Sequence, residues 1–188
     1  MSRFAGRVAK KKQPGTVPDF EKEEMQMKVA DVMMRTPASC TAETNLAAAV
    51  EILWTRNCGM LPVVNTEGKV TGVLTDRDIC IALGTRNRPA SEIIVREIQP
   101  EKLFACKADD DIHAALAILS GAQVRRLPVL DDAGQLAGIL SLDDVVLHAA
   151  TAIAGRVPEL SSSEVIEYMK RVYRSGLPEP VRQHVAIA

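Results

Sequence analysis

The sequence predicts an α/β protein made of two tandem copies of one strand–helix–strand–strand–helix unit. Three observations predict it. The stretch Gly72-Val73-Leu74-Thr75-Asp76-Arg77-Asp78 returns sixty-six residues later as Gly138-Ile139-Leu140-Ser141-Leu142-Asp143-Asp144. In both, a glycine ends a strand-like run and is followed by two apolar residues, a hydroxyl residue and, three positions on, a carboxylate. Laid over each other without a gap, residues 29–82 and 95–148 agree at fourteen of fifty-four positions, several times the chance level. The hydrophobic period also changes at matching places in both copies, from helical spacing to short apolar runs.

The whole chain sets bounds on this reading. At 188 residues, 47% hydrophobic and 25% charged, it is long enough for a proper core and has the composition of a soluble globular protein. A net charge of −1 gives no overall pull toward nucleic acid or an anionic membrane. No apolar run is long enough to span a bilayer, and the N-terminus lacks the apolar core of a secretory signal, so a cytoplasmic protein is expected. Cys40, Cys58, Cys80 and Cys106 show no close zinc-ligand spacing, and packing as small hydrophobes is the better reading of Cys40 and Cys106.

Residues 1–24 read as a disordered basic tail: Arg3, Arg7 and Lys10-Lys11-Lys12 precede any acid, and Pro14, Gly15 and Pro18 follow. The first repeat is placed at 25–88. After Val29 and a short segment to Met34 comes a strand-like Ala38-Ser39-Cys40. Thr44 or Asn45 then caps a helix with Leu46, Ala49, Val50 and Leu53 on one face. The second repeat, at 89–155, opens near Ile93-Ile94-Val95, with Ser91 offering a cap for a turn. Asp110 or Asp111 caps its helix, which carries Ile112, Ala115, Leu116 and Leu119 at the same four positions. Met60–Asn65 and Arg126–Asp131 are short strands. Thr66-Glu67-Gly68 and Asp132-Ala133-Gly134 supply glycine-bearing hairpin turns, and Lys69–Leu74 and Gln135–Leu140 return. Second helices start at Thr75 and Ser141. A repeat of about 55 residues is small for independent stability, so two copies packed together make physical sense. Residues 156–188 form a C-terminal extension. There Ser161-x-x-Glu164 has the pattern of a capping box, opening a helix with Val165, Tyr168, Met169 and Val172 on one face. That helix either covers the module or contacts a second copy or partner.

The doubled pattern Leu61-Pro62-Val63-Val64, Gly68-Lys69-Val70-Thr71-Gly72-Val73-Leu74-Thr75-x-x-Asp78 resembles the CBS domain, the module named after cystathionine β-synthase. Two copies, over about residues 29–150, resemble a stand-alone Bateman module. The resemblance implies two repeats packed by their sheets with pseudo-twofold symmetry, modules paired again as a disc-shaped homodimer, and an adenosine-containing ligand in the cleft between repeats. AMP, ADP, ATP and S-adenosylmethionine are the ligands it implies, as regulatory molecules rather than obligatory cofactors.

The local chemistry suits that use. A helix N-terminus at Thr75 or Ser141 offers free backbone N–H groups and the positive end of a dipole, which favours phosphate. The carboxylate one turn on can accept hydrogen bonds from ribose hydroxyls. By resemblance, Thr75 and Ser141 contact phosphate or ribose, Asp78 and Asp144 hold ribose, and Val73 and Ile139 pack against the base or sugar. Thr/Ser-x-x-Asp at a helix start is also a capping pattern that needs no ligand. The clefts differ, because Arg125-Arg126 stands where the first copy has Gly59-Met60, and Phe104 where it has Ala38. By resemblance the arginines approach ligand phosphates and Phe104 stacks on adenine or fills its cleft. One cleft would then use Ser141, Asp144 and Arg125 with Ala38, Cys58 and Gly59, and is the favoured site. The other would use Thr75 and Asp78 with Phe104 and Val124.

A regulatory module that senses an adenosyl nucleotide and acts on a partner, such as a regulated enzyme or transporter, is the leading reading. The alternative is a ligand-free dimerisation or scaffold module, in which Asp78 and Asp144 only cap helices. No nucleophile–base pair, metal spacing, Walker loop or dinucleotide fingerprint points to catalysis. Neither a membrane nor a nucleic-acid partner is expected.

Overall fold

The structure, a computed structural model, describes residues 26–100, 102–150 and 159–174. Each repeat is built around a hairpin and two helices. In the first, β2 (Met60–Val64) pairs antiparallel with β3 (Val70–Thr75), flanked by α2 (Leu46–Thr55) and α3 (Asp76–Arg86). In the second, β5 (Arg126–Leu130) pairs with β6 (Leu136–Ser141), flanked by α4 (Ile112–Ala122) and α5 (Leu142–His148). The two hairpins carry an irregularity at the same place, Val63/Val64 and Val129/Leu130. Their turns match as well. Asn65 Oδ1 accepts from the N–H groups of Glu67 and Lys69, and Asp131 Oδ1 accepts from those of Ala133 and Gln135. Gly68 and Gly134 then take φ of 79° and 78°, which a side chain would disfavour.

The predicted helices are present, with caps chosen from the predicted pairs. Asn45 accepts from Ala48 N–H at the start of α2, and Asp111 from His113 and Ala114 at the start of α4. Leu46, Ala49 and Leu53 are buried on one side, and Ile112, Ala115, Leu116 and Leu119 on the other. The predicted strand at Ala38–Cys40 shrinks to a single parallel bridge, Cys40 to Val63. Ser91 caps nothing. Pro89, with its fixed φ, precedes a 3-10 turn over Ala90–Glu92.

What the periodicity did not reveal is where the leading segments go. α1 (Val29–Val32) and β1 (Met34–Arg35) belong to the first repeat in sequence but pack on the second. Val29, Val32 and Met33 join the core of Leu116, Leu127 and Leu140, and β1 adds an edge to a four-stranded sheet ordered β1-β6-β5-β4, with β4 at Cys106–Lys107. In return Ile93 and Val95 join the core of Leu46, Leu61 and Leu74. The backbone hydrogen bonds repeat with the same offset. Val29 N–H donates to Asp110 O at 2.9 Å and Val95 N–H to Thr44 O at 2.9 Å, while Ile112 donates to Met27 at 3.0 Å and Leu46 to Ile93 at 2.9 Å. Each core therefore contains a piece of the other repeat. Lys69 and Gln135, themselves repeat equivalents, face each other across an antiparallel bridge, so the local twofold axis passes between them.

The last helix, α6 (Ser162–Arg174), starts as the capping pattern predicts, with Ser161 Oγ accepting from Glu164 N–H at 3.2 Å. It packs on α4 and α5 of the second repeat: Val165 and Val172 are buried there, and Tyr168 and Met169 are partly buried against the same core. His113 ties the two helices together. Its Nε2 lies 3.1 Å from the Glu159 carbonyl oxygen and 3.3 Å from Glu164 Oε1, and its Nδ1 lies 3.4 Å from Asp111 Oδ1. The basic tail at 1–24 and residues 175–188 of the extension lie outside the described residues. No described helix is long and apolar enough to cross a membrane.

Candidate functional site

The hydroxyl–carboxylate pairs close as capping boxes at both helix starts. Thr75 Oγ accepts from Asp78 N–H at 3.2 Å, while Asp78 Oδ2 accepts from Thr75 N–H at 2.9 Å and from Thr75 Oγ–H at 2.6 Å. Ser141 and Asp144 repeat this at 3.1, 3.0 and 2.6 Å. All of the capping falls on one carboxylate oxygen. Among the described residues, Oδ1 of Asp78 and Oδ1 of Asp144 have no partner, so the capping role leaves an acceptor on each residue for a ligand.

Two cavities lie beside these helix starts. The larger, about 550 Å³, is lined by Cys58 and Gly59 of the first repeat and by Arg125 and Arg126 of the second, with Trp54 and Asp76 at its sides. Short backbone links set this convergence. Asp76 N–H donates to Gly59 O at 3.3 Å, and Leu142 N–H to Arg125 O at 3.0 Å, so each pre-strand residue sits at the start of a helix. Gly59 leaves the space open: a Cβ there would stand 3.1 Å from Asp76 Oδ2 and 3.5 Å from Arg126 Nη1. Arg126 also reaches Asp143, Nη2 to Oδ2 at 3.6 Å. Two guanidinium groups at the repeat boundary make an anion-binding arrangement, with the carboxylates of Asp76 and Asp143 beside them.

The smaller cavity, about 230 Å³, is lined by Asp78 together with Thr85, Arg86, Glu97 and Gln99. Glu97 is held by Arg88 at 2.7 Å and Arg86 at 3.3 Å. The Arg88 hydrogen bond, followed by that of Ile94 N–H, holds its carboxyl below the ordinary glutamate range.

The structure brings together Cys58, Gly59, Arg125 and Arg126, whereas Ser141 and Asp144 of the favoured cleft line neither cavity. Ser141 is buried to 7% exposure at the end of β6, and Ile139 is covered by the pairing of Met34 with it. Val73 lies opposite Pro62 in the first hairpin. Ala38 packs against the first core, and Phe104 and Val124 against the second, so none of the three lines either cavity. Phe104 carries Lys102 Nζ at 4.6 Å from its ring centre. Asp76 and Gln99 line the cavities without having been singled out as binding residues. For Gln99 the signal was available, because it aligns with Met33 when the repeats are laid over each other. Burial pushes the Cys40 thiol up to about 11 and the Cys106 thiol up to about 12, which keeps both protonated and unreactive. Among the described residues no group of three or more His, Cys, Asp or Glu side chains is placed to hold a metal.

Residues 29–85 and 95–150 each match the family model described as CBS domain. An uncharacterized protein of Methanopyrus kandleri is 29% identical over 101 residues, 52% of this chain and 52% of that protein. Inosine-5′-monophosphate dehydrogenase of Methanocaldococcus jannaschii is 25% identical over 119 residues, 63% of this chain but only 23% of the enzyme. The match thus spans about half or less of the length of these relatives. Among solved structures, the CBS domain pair of protein MJ0100, in complex with 5′-methylthioadenosine and S-adenosyl-L-methionine, superposes with a TM-score of 0.59 at 24% identity. It covers 64% of this chain and 93% of that one. CBSX2 in complex with AMP superposes with a TM-score of 0.56 at 23% identity, covering 64% and 93%. Identities this low establish a shared fold.

Proposed function

The chain belongs to the CBS domain family, carrying two tandem CBS repeats over more than half its length, and from that premise we propose that it is a non-catalytic, ligand-sensing regulatory module. An adenosyl nucleotide of the AMP, ADP or ATP type binds between the repeats and sets the state that a partner protein reads. One observation carries the reading: the cavity at the repeat boundary, where Arg125 and Arg126 of one repeat face Cys58 and Gly59 of the other. Phosphate suits the guanidinium pair of the larger cavity, and ribose suits the spare oxygen of Asp78 in the smaller one, while Asp144 lines neither. The complexes of MJ0100 with 5′-methylthioadenosine and S-adenosylmethionine, and of CBSX2 with AMP, support the ligand class by analogy. A ligand that touches both repeats shifts their relative orientation to the extent that it binds one arrangement more tightly than another.

Calorimetric titration with AMP, ADP, ATP and S-adenosylmethionine tests this. Saturable binding of one of them is expected, weakened about tenfold or more by Arg125→Ala, because a charge-assisted hydrogen bond is lost. Absence of binding by all four would leave the scaffold reading.

A homodimer is part of the same proposal. Val50, Trp54, Ile81 and Leu83 of α2 and α3 are exposed on the first repeat, while α6 lies against the corresponding pair of helices on the second. Trp54, at 86% exposure, is a contact residue for a second copy rather than part of a core.

A further inference from the structure

Gly72 on β3 and Gly138 on β6 are repeat equivalents, and each lies beneath a side chain from an exchanged segment. A Cβ on Gly138 would meet Met33 Sδ at 2.8 Å and the Met34 carbonyl oxygen at 2.7 Å. On Gly72 it would meet Gln99 Oε1 at 3.1 Å and Cδ at 3.3 Å. Met33 and Gln99 are themselves equivalents, so the same position in each half is stopped by a chemically different side chain.

The Met33 stopper is tight. The residue is 8% exposed, belongs to the second core, and is followed at once by β1, which pairs Met34 with Ile139 and Arg35 with Gly138. The Gln99 stopper is not. Its Oε1 is buried without a hydrogen-bond partner among the described residues, a condition native structures rarely leave without a reason. The next residue is Pro100, which has no N–H to give to a strand, where the other half has Met34 at the start of β1. Gln99 also lines the cavity of about 230 Å³ that Asp78 lines, and Asp78 Oδ1 has no partner among the described residues. Gln99 and Asp78 thus belong to the walls of one cavity, and a turn of the Gln99 side chain would bring its carbonyl oxygen, covered against Gly72, into the space that Asp78 lines.

We infer that Gln99 is a displaceable stopper and that the first-repeat cleft is the one a ligand opens. The Gln99 side chain turns off Gly72 and gives its carbonyl oxygen to one hydroxyl of a cis-diol, such as that of ribose, while the neighbouring hydroxyl meets Asp78 Oδ1. This rests on the nucleotide reading above and gives it a side and a stoichiometry of one ligand per chain. It also runs against the sequence expectation, which favoured the Asp144 side.

The test is Gln99→Met in the full chain, a substitution whose fit is indicated by Met33 at the equivalent position. Titration with AMP and 2′-deoxy-AMP, and thermal melting without ligand, are the two readouts. Wild type should bind one AMP per chain and prefer it to 2′-deoxy-AMP. Gln99→Met should weaken AMP about tenfold through loss of one hydrogen bond. Without ligand it should melt about 2–4 °C higher, because the orphan acceptor is gone. Unchanged AMP affinity, or a melting point that does not rise, would overturn the inference. If wild type binds neither nucleotide, the adenosine reading fails separately and the melting shift alone decides whether Gln99 is a strained stopper.

Discussion

In Asp78 and in Asp144 one carboxylate oxygen carries the whole cap and the other is left over, so a helix cap and a ligand site are compatible in one residue. A residue that only capped could be replaced with a cost confined to stability; one that only bound could be replaced with a cost confined to affinity. Thr75→Ala, which removes the hydroxyl from the box, should cost about 1 kcal/mol of folding stability in a denaturant titration. The backbone N–H of Thr75 would still hold the carboxylate. Asp78→Ala should cost both stability and, on the reading above, nucleotide affinity. The hydroxyl–carboxylate spacing was legible because it appears twice at the same offset. The free oxygen was not legible, since a sequence pattern names a carboxylate but not which of its oxygens is spent. The orphan carbonyl of Gln99 is invisible for the same reason: it is defined by what fails to touch it.

At the scale of elements, α6 shows how far periodicity reaches. Its apolar face, Val165, Tyr168, Met169 and Val172, could be read from spacing alone, and so could its cap at Ser161. Its docking place could not, because an apolar face states that something is covered and leaves open by what. The same holds for Val29 and Val95, identical in pattern and each buried in the other repeat. Ser161→Ala should lower stability by about 1 kcal/mol, read by thermal or denaturant unfolding. The opening stretch of the second repeat carries a pH signature. Glu97 is held below its ordinary range by Arg88, Ile94 N–H and Arg86, so its contribution is complete above the ordinary glutamate range and is lost as pH falls through the lowered folded value. Glu97→Gln should therefore be less stable than wild type near neutrality, and the difference should shrink on acidification. Unfolding curves at several pH values would show it.

At the scale of the molecule, the exposed face of α2 and α3 and the exchanged segments set two different dependences. The first is on concentration. If Val50, Trp54 and Ile81 meet a second copy, Trp54→Asp should shift sedimentation toward monomer while leaving the fold intact, since Trp54 supports no core. The second is on chain continuity. A fragment ending at residue 90 would lack Ile93 and Val95, two fully buried side chains of the first core worth about 1.5–3 kcal/mol each. Such a fragment should remain unfolded by circular dichroism, where a simple string of two domains would leave a folded half.

Val29, the first residue of α1, is hydrogen-bonded to Asp110 and has no covering until that part of the chain exists. During synthesis the ribosome therefore releases an apolar segment that must wait about eighty residues for its place. The half that follows it can close first, as soon as Val95 emerges. The α1 segment, made before either hairpin, is among the last to be buried, and it seals the second half only after the first has been sealed by Ile93 and Val95. An exchange that looks symmetric in space is ordered in time.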